Sequence, residues 1–467
     1  MKIIDLYKPI LGKCLKKIIY NRLYKFRSSQ GILSDSQYGF RKGHSTAHAI
    51  NYSTEIIKNE INKKNHVLGI FIDLSKAFDT LDHNILLHKI NKLGIRGIAN
   101  DLIRSYMTNR KQYTSFLGEN SETEPILFGV PQGSVLGPLL FLLYINDIVD
   151  YVTDETVKVV LYADDTNLFI IGKDRQMLIK KANKTLEKIN NYMKSNLLHI
   201  NVEKCCFMHF SPKTKQLNKE MDLEYDNNIS AVDDDENENH TLKINGTLIP
   251  EVKSTKFLGV TIDNELSWIP HIESLHKKLK SATGMLKRMR DNIPFEHYKA
   301  IYYALFESHL SYCITVFGHV VKTHSERLFT TQKHCMRILF GNLDAYLDKF
   351  NTSARTRPIE KQVLGAEFFC KEHTKPLFNQ QGILAFKNLY NYHICIDTLK
   401  TLKSRSPNCL FELYLLSSRN NKSYILEKNS LKGTYLAERT KIWNDCMKSI
   451  AKSDTITEIK FQSLKKI

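Results

Sequence analysis

With 467 residues, 42% of them hydrophobic, the chain is long enough to bury the cores of more than one domain. Lysine and arginine outnumber aspartate and glutamate by 67 to 49, a formal net charge of +18. That balance suits a polyanionic partner, because cationic side chains on phosphates release counterions. The nine cysteines, odd in number and unclustered, exclude a disulfide framework and a zinc knuckle and point to reduced thiols inside a cell; the strongest apolar run, 136–145, is too short to cross a bilayer.

In chain order, residues 1–23 alternate Lys with Ile and Leu at helical spacing, without the apolar stretch and cleavage pattern of a secretory leader. They read as an amphipathic helix packed on a core. The pattern predicts helices over 11–28 and 45–62, joined by a polar loop at 31–44, with Ser45 and Thr46 as N-caps. Residues 67–72 form a strand-like apolar run that ends at Asp73. Asp82 or a neighbour caps a helix that reaches Lys92 and stops at Gly94; residues 99–108 continue helical, and 112–117 look like a strand.

Over 134–151 apolar residues lie nearly all round, the sign of a helix buried on most faces. Two strands follow within 157–171, then an amphipathic helix over 174–196 and a strand-like stretch over 198–210, in which Cys205-Cys206 reads as a buried pair. Residues 217–240 are acidic and rich in Asn and read as a disordered insertion; a second metal site is the sharper alternative, but the acids lack ligand spacing. Strands resume over 241–249 and 256–262. A basic helix follows over 268–290, with Leu275, Leu279 and Met285 inward and Lys277, Lys278, Lys280, Lys287 and Arg288 outward. Residues 294–340 continue helical, and 352–358 and 401–407 are loop-like.

In Leu161-Tyr162-Ala163-Asp164-Asp165, two carboxylates sit on a tight turn whose flanks are apolar, where a merely solvated turn would have polar flanks. Asp73 ends its own apolar run in the same way. Two strands that deliver carboxylates to one point supply what a divalent-metal site needs. Mg²⁺ takes hard oxygen ligands, usually a few carboxylates plus substrate phosphates, and two ions can clamp the attacking and leaving oxygens of a phosphoryl transfer.

Three segments, in this order and spacing, resemble the central motifs of a reverse transcriptase palm: Phe71-Ile72-Asp73-Leu74-Ser75-Lys76-Ala77-Phe78-Asp79, Gly129-Val130-Pro131-Gln132-Gly133-Ser134 and Tyr162-Ala163-Asp164-Asp165. More narrowly, the chain is similar to the polymerases of non-LTR, LINE-type retrotransposons of the jockey-like branch. Gln37-Tyr38-Gly39-Phe40-Arg41-Lys42-Gly43-His44-Ser45-Thr46 resembles that group's fingers motif, and Tyr106-Met107-Thr108-Asn109-Arg110-Lys111-Gln112-Tyr113 and Lys256-Phe257-Leu258-Gly259 are also similar. The likeness is strong to about residue 290 and weak beyond it.

The resemblance implies an α+β right-hand polymerase. A fingers and palm domain would span 1–264, with partial fingers over 1–66 and a palm with an antiparallel sheet over 67–264, interrupted by the acidic insertion 217–240. A helical thumb over 265–345 and a helical region of unassigned role over 346–467 would follow. It also implies an RNA-directed DNA polymerase that adds dNTPs to a primer 3′-hydroxyl, with an RNA template and a DNA primer or target as partners. No membrane is expected, and the setting would be intracellular, nucleus and/or cytoplasm. Asp73, Asp164 and Asp165 would hold two Mg²⁺ ions, or Mn²⁺ as a substitute, with the Leu74 carbonyl completing one coordination sphere.

By the same resemblance, Lys204 would protonate the leaving pyrophosphate, and Arg41 and Lys42 would contact the triphosphate from the fingers. Phe78 would be a steric gate against a 2′-hydroxyl; a core phenylalanine is the plainer alternative. Gln132 and Gly133 would lie against the incoming nucleotide and template base; a structural turn and cap is again the alternative, and both can hold. Family members usually carry an Arg-Pro-Ile-Ser segment where this chain has residues 3–6 and no Arg. The chain is therefore expected to begin inside the fingers, without an upstream endonuclease domain. Two other readings stand beside this one: an RNA-dependent RNA polymerase, which Phe78 and Ala163 disfavour, and a catalytically impaired nucleic-acid-binding remnant, which the intact acidic triad disfavours.

Overall fold

The computed structural model describes residues 8–131, 133–212, 241–341, 374–411 and 439–445. The chain divides into two compact units, residues 1–255 with 406–410 and residues 256–405 with 411–467. The architecture is α+β.

In the first unit, β6 (Val157–Tyr162), β7 (Asp165–Gly172), β1 (His66–Ile72) and β8 (Cys206–Phe210) form one antiparallel sheet in that spatial order. Because β1 is an inner strand with both faces covered, it reads as a continuous apolar run instead of an alternating one. Leu68, Ile70 and Ile72 join the larger core, together with Leu178, Ala182, Leu186, Ile189 and Met193 of helix α7 (Arg175–Ser195). The intervening Phe71 faces the other way, edge-on to Phe169, and helix α2 (Thr46–Asn62) packs against β1, β6 and β7.

Polar caps set the helix starts, at Ser45 and Asp82 as the pattern predicts and also at Asp174, which it does not; Thr46 is the first helical residue and not a cap. The Ser45 side chain accepts from the His48 amide, the Asp82 carboxylate from Ile85 and the Asp174 carboxylate from Met177, each satisfying an amide that the first helical turn leaves over. Helix α1 (Lys8–Ser29) covers the predicted first helix, and α3 (His83–Lys92) and α4 (Ile98–Met107) the next two.

Several elements differ from their sequence pattern. The strand over 112–117 is instead two pieces, β2 (Lys111–Gln112) and β3 (Ser115–Phe116), which pair with β5 (Glu124–Pro125) and β4 (Glu119–Asn120) in an exposed arm with no core to alternate against. The helix over 134–151 breaks into α5 (Gly137–Ile145) and α6 (Ile148–Val152). At the break, Asn146 accepts from the Ser34 amide at 3.0 Å and donates to the Ile32 carbonyl at 2.8 Å, while Asp147 takes the Lys89 ammonium at 2.7 Å. Lys89 also lies over the rings of Tyr144 and Tyr192, so α3, α5 and α7 meet at one desolvated cation.

The strand over 198–210 begins only at Cys206, after a 3₁₀ turn over Val202–Lys204; Cys205 and Cys206 are both buried. The predicted insertion 217–240 and the loop 352–358 lie outside the described residues.

The strand β11 (Ser254–Phe257) runs across the boundary into the second unit and pairs with β12 (Val260–Asp263). The Asp263 carboxylate then accepts from the amides of Glu265, Ser267 and Trp268, turning the chain into α8 (Ile269–Met289). Leu275 and Leu279 face inward, but Met285 is exposed and Leu286 takes its place, because the 3.6-residue period drifts the inner face by one position. Lys277, Lys278, Lys280, Lys287 and Arg288 are exposed.

The stretch over 294–340 is not continuous helix. A π-turn at Tyr303–Glu307 and a left-handed Cys313 (φ +52°) divide it before α12 (Lys322–Phe340), which packs on α8. Conversely, α14 (Phe386–Ser404) runs through the predicted loop start at 401 and ends only at Arg405, φ +50°.

The segment after the exposed arm is stitched to the end of the Asp73 loop. The Gly129 amide donates to the Leu81 carbonyl, the Val130 amide to the Phe78 carbonyl, and His83 Nε2 to the Gly129 carbonyl. Gly129 has φ +77°, and a Cβ there would lie 2.7 Å from the Asp79 carbonyl oxygen. Gly129→Ala should therefore lower stability by about 2 kcal/mol or more, the sum of a left-handed alanine and a main-chain overlap that must be relieved. Thermal and chemical denaturation of the variant would measure it, and unaltered midpoints would contradict this packing.

Candidate active site

The β6–β7 hairpin closes through only two residues, because Tyr162 pairs with Asp165. Ala163, the first of the two, has φ +58°, a left-handed conformation that costs a non-glycine residue roughly 1–2 kcal/mol. Asp164 is the second, and Asp165 opens β7. Across the sheet Ile72 pairs with Thr166, and the next step of that register sets Asp73 beside Asp165. The Asp73 main chain is fixed in turn: its carbonyl accepts from the Asn201 amide at 2.9 Å, and the Ser75 amide donates to His199. Leu74 is buried and bridged to Ile200.

The three acids feel one another. Burial, then the charges of Asp164 and Asp73, push the Asp165 carboxyl up to about 6. Burial also raises Asp164; a hydrogen bond from its own backbone lowers it in part, and the charge of Asp73 raises it again. Lys204 Nζ stands 3.5 Å from Asp73 Oδ2; its side chain is 68% exposed, so the pair adds little to stability but places a cation at the rim of the acids. Next to Lys204, burial above all pushes the Cys205 thiol up to about 11, which keeps it protonated and removes it as a nucleophile.

Among the described residues, no three His, Cys, Asp or Glu side chains converge into an ion cage. Mg²⁺ rarely needs one, since it keeps several waters and takes one or two carboxylates plus substrate phosphates. Three hard oxygen donors at a sheet end, two of them raised by burial and then by neighbouring negative charge, fit a divalent cation in kind.

The remaining predicted residues divide. Phe78 is half-buried, its ring stacked on Phe141 at 4.4 Å and met edge-on by Phe40 at 6.2 Å; Phe40 itself is 51% exposed. Gly133 has φ +71° and open space where a side chain would project, and Gln132 lies outside the described residues. Lys42 is exposed. Arg41 is not: its guanidinium donates to the carbonyls of Ser34 and Gln37 and pairs with Asp35 at 3.5 Å, so it braces the loop that precedes it. Sequence reasoning missed Gln37 as a site residue. The fingers motif contains it, but its contact is with Ala163, far along the chain.

The family model described as reverse transcriptase (RNA-dependent DNA polymerase) matches residues 4–262. The chain belongs to the reverse transcriptase family. It is 25% identical over 351 residues to the RNA-directed DNA polymerase from mobile element jockey of Drosophila melanogaster, covering 72% of this chain and 36% of the relative. It is 26% identical over 347 residues to the probable RNA-directed DNA polymerase from transposon BS of the same fly, covering 71% and 36%. This reverse transcriptase chain thus spans about a third of the length of these relatives. A looser likeness, TM-score 0.36 at 12% identity, over 85% of this chain and 60% of the other, is to apo telomerase from Candida Tropicalis.

The raised Asp165 carboxyl has a consequence for stability. A carboxyl raised from 3.8 to about 6 on folding costs nothing while both states hold the proton, and it weakens the fold progressively as the pH climbs through about 6. In chelator-treated buffer, Asp165→Asn should therefore raise the melting temperature at pH 8 and leave it nearly unchanged at pH 4. Equal melting temperatures at pH 8 would show that the acids do not repel as described.

Proposed function

We propose that this chain performs RNA-directed DNA synthesis, joining deoxynucleotides to a primer 3′-hydroxyl on an RNA template. The observation that carries the reading is the meeting of Asp73, Asp164 and Asp165 at one end of a buried antiparallel sheet, where burial and then neighbouring carboxylate charge raise the proton affinity of Asp164 and Asp165. Membership of the reverse transcriptase family supports it. Asp73, Asp164 and Asp165 would hold two Mg²⁺ ions, or Mn²⁺ in their place, with the Leu74 carbonyl as a further oxygen donor. When bound, such ions neutralise charge on the attacking and leaving oxygens.

The chain's own groups do the rest. The exposed Lys204 ammonium, 3.5 Å from Asp73 Oδ2, would hand a proton to the departing pyrophosphate. The Phe78 ring, fixed by its stack on Phe141, leaves no room for a 2′-hydroxyl and so selects deoxynucleotides by clash. Lys42 and the open backbone at Gly133 would meet the nucleotide, with Gln132 against the template base. The exposed row on α8 suits phosphates of a primer–template without reading sequence, and makes Lys277, Lys278, Lys280, Lys287 and Arg288 the thumb contacts. Buried free thiols at Cys205, Cys206 and Cys335 support an intracellular setting, nucleus and/or cytoplasm. Among the described residues, no helix is long and apolar enough to cross a membrane.

Two substitutions test the reading. Asp164→Asn keeps the side-chain shape and removes its charge, so Mg²⁺-dependent primer extension on RNA should fall by about 10³ or more, the scale of losing an electrostatic stabiliser of the transition state. Unchanged extension by that variant would sink the assignment. Phe78→Val should raise the ratio of ribonucleotide to deoxynucleotide incorporation at least tenfold, roughly 1.4 kcal/mol of lost discrimination, without altering the Mg²⁺ requirement. If the ratio stays fixed, Phe78 serves only the aromatic stack.

A further inference from the structure

We propose that Gln37 is a positioning residue whose carboxamide holds the Ala163-Asp164 turn in its left-handed conformation and so aims the carboxylates of Asp164 and Asp165. The inference rests on the reading of those two acids as the cation-binding pair and extends it to a residue 126 positions away in the chain.

The grip is two-sided. Gln37 Oε1 accepts from the Ala163 amide at 3.0 Å, and Gln37 Nε2 donates to the Ala163 carbonyl at 3.4 Å. These two polar atoms belong to the peptide planes on either side of the Ala163 Cα. Fixing both planes fixes the φ and ψ between them, and the second plane is the one from which Asp164 springs. An alanine at φ +58° resists this conformation by itself, because its Cβ crowds the following carbonyl, so something outside the hairpin must hold it. The amide's own orientation is set as well: Oε1 also accepts from the Gly39 amide at 2.7 Å, so with two N–H donors at the oxygen the nitrogen is left to face the Ala163 carbonyl. At 2% exposure, no water competes for these bonds.

The backbone around Gln37 is built to keep the carboxamide there. The Leu161 amide donates to the Ser36 carbonyl and the Tyr38 amide to the Leu161 carbonyl, both at 2.8 Å, so residues 36–38 lie as a parallel bridge along the end of β6, directly before the turn. Two positions later the chain presses on the turn itself. A Cβ on Gly39 would lie 2.3 Å from the Ala163 nitrogen and 3.0 Å from its Cα, so only glycine fits. Arg41 then ties the Gln37 carbonyl to its own guanidinium at 3.1 Å, which closes the loop behind the clamp. Gln37, Gly39 and Arg41 thus act on the turn's shape and touch none of the reacting atoms.

The test compares wild type, Gln37→Met, Ala163→Gly and the double variant Gln37→Met/Ala163→Gly. Methionine keeps the volume and loses both hydrogen bonds to Ala163 together with the one from the Gly39 amide. Amide hydrogen exchange of the peptide covering residues 161–165 should be at least tenfold faster in Gln37→Met. Mn²⁺ affinity, read by electron paramagnetic resonance on the protein alone, should weaken about tenfold, and the primer-extension kcat should fall by a similar factor with the nucleotide KM within about twofold. The tenfold scale is that of one buried hydrogen bond.

Glycine at 163 adopts positive φ without a clamp, so the double variant should recover most of the Mn²⁺ affinity and kcat while its exchange stays fast. A purely structural glutamine would lower the melting temperature without this rescue. Unchanged exchange and Mn²⁺ affinity in Gln37→Met, or no rescue by Ala163→Gly, would overturn the proposal. Faster exchange and weaker Mn²⁺ binding in Gln37→Met, alongside a wild type that extends no primer, would support the clamp and refute the polymerase reading instead.

Discussion

Three carboxylates at one end of a sheet repel one another, and the fold has to hold them together against that repulsion. The force is visible in the proton affinities of Asp164 and Asp165, both raised by burial and by neighbouring negative charge. What opposes it is the burial of β1 between β7 and β8, an apolar strand whose register leaves no freedom to slide. A slip of one residue would carry Leu68, Ile70 and Ile72 out of the larger core and turn Asp73 away from Asp165. The hydrophobic core thus stabilises an arrangement that electrostatics alone would disperse, and a divalent cation would reverse the sign of that electrostatic cost.

Around this point the chain is organised as a set of braces on main-chain atoms. Residues 36–41 press on the β6–β7 turn, residues 199–201 tie down the backbone on both sides of Leu74, and residues 129–130 tie down the loop from Phe78 to Leu81. Each brace joins segments far apart in sequence, and each acts on backbone whose side chains carry the proposed chemistry. Placing the functional groups on sheet ends and tight loops, and fixing those loops by hydrogen bonds from elsewhere, gives positional accuracy without long rigid elements.

The two compact units divide the work differently. The first gathers three carboxylates at the end of one sheet; the second spreads cations along the exposed face of α8 while Leu275, Leu279 and Leu286 are buried. A diffuse cationic face suits a regular polyanion, whereas a tight anionic cluster suits a small cation.

The sequence by itself determined a strand over 67–72, two strands within 157–171, the caps at Ser45 and Asp82, the acidic turn, and the family motifs. All of these are local: an apolar run, a side chain one turn from the amide it caps, two acids on a two-residue loop. Tertiary structure alone decided what those residues do to one another. The helix over 134–151 breaks at Asn146, whose side chain serves the Ser34 amide and the Ile32 carbonyl of a distant loop. Arg41 reads in the motif as a contact for phosphate; that its guanidinium also donates to the carbonyls of Ser34 and Gln37 is seen only in the fold. Phe78, in a loop, gained its place from Phe141 on α5. Gln37 carried no signal of its role, since a glutamine in a polar loop looks like any solvated side chain until the chain folds Ala163 against it. Local patterns record propensity and periodicity; which distant backbone atom a buried side chain must satisfy is known only once the core has closed.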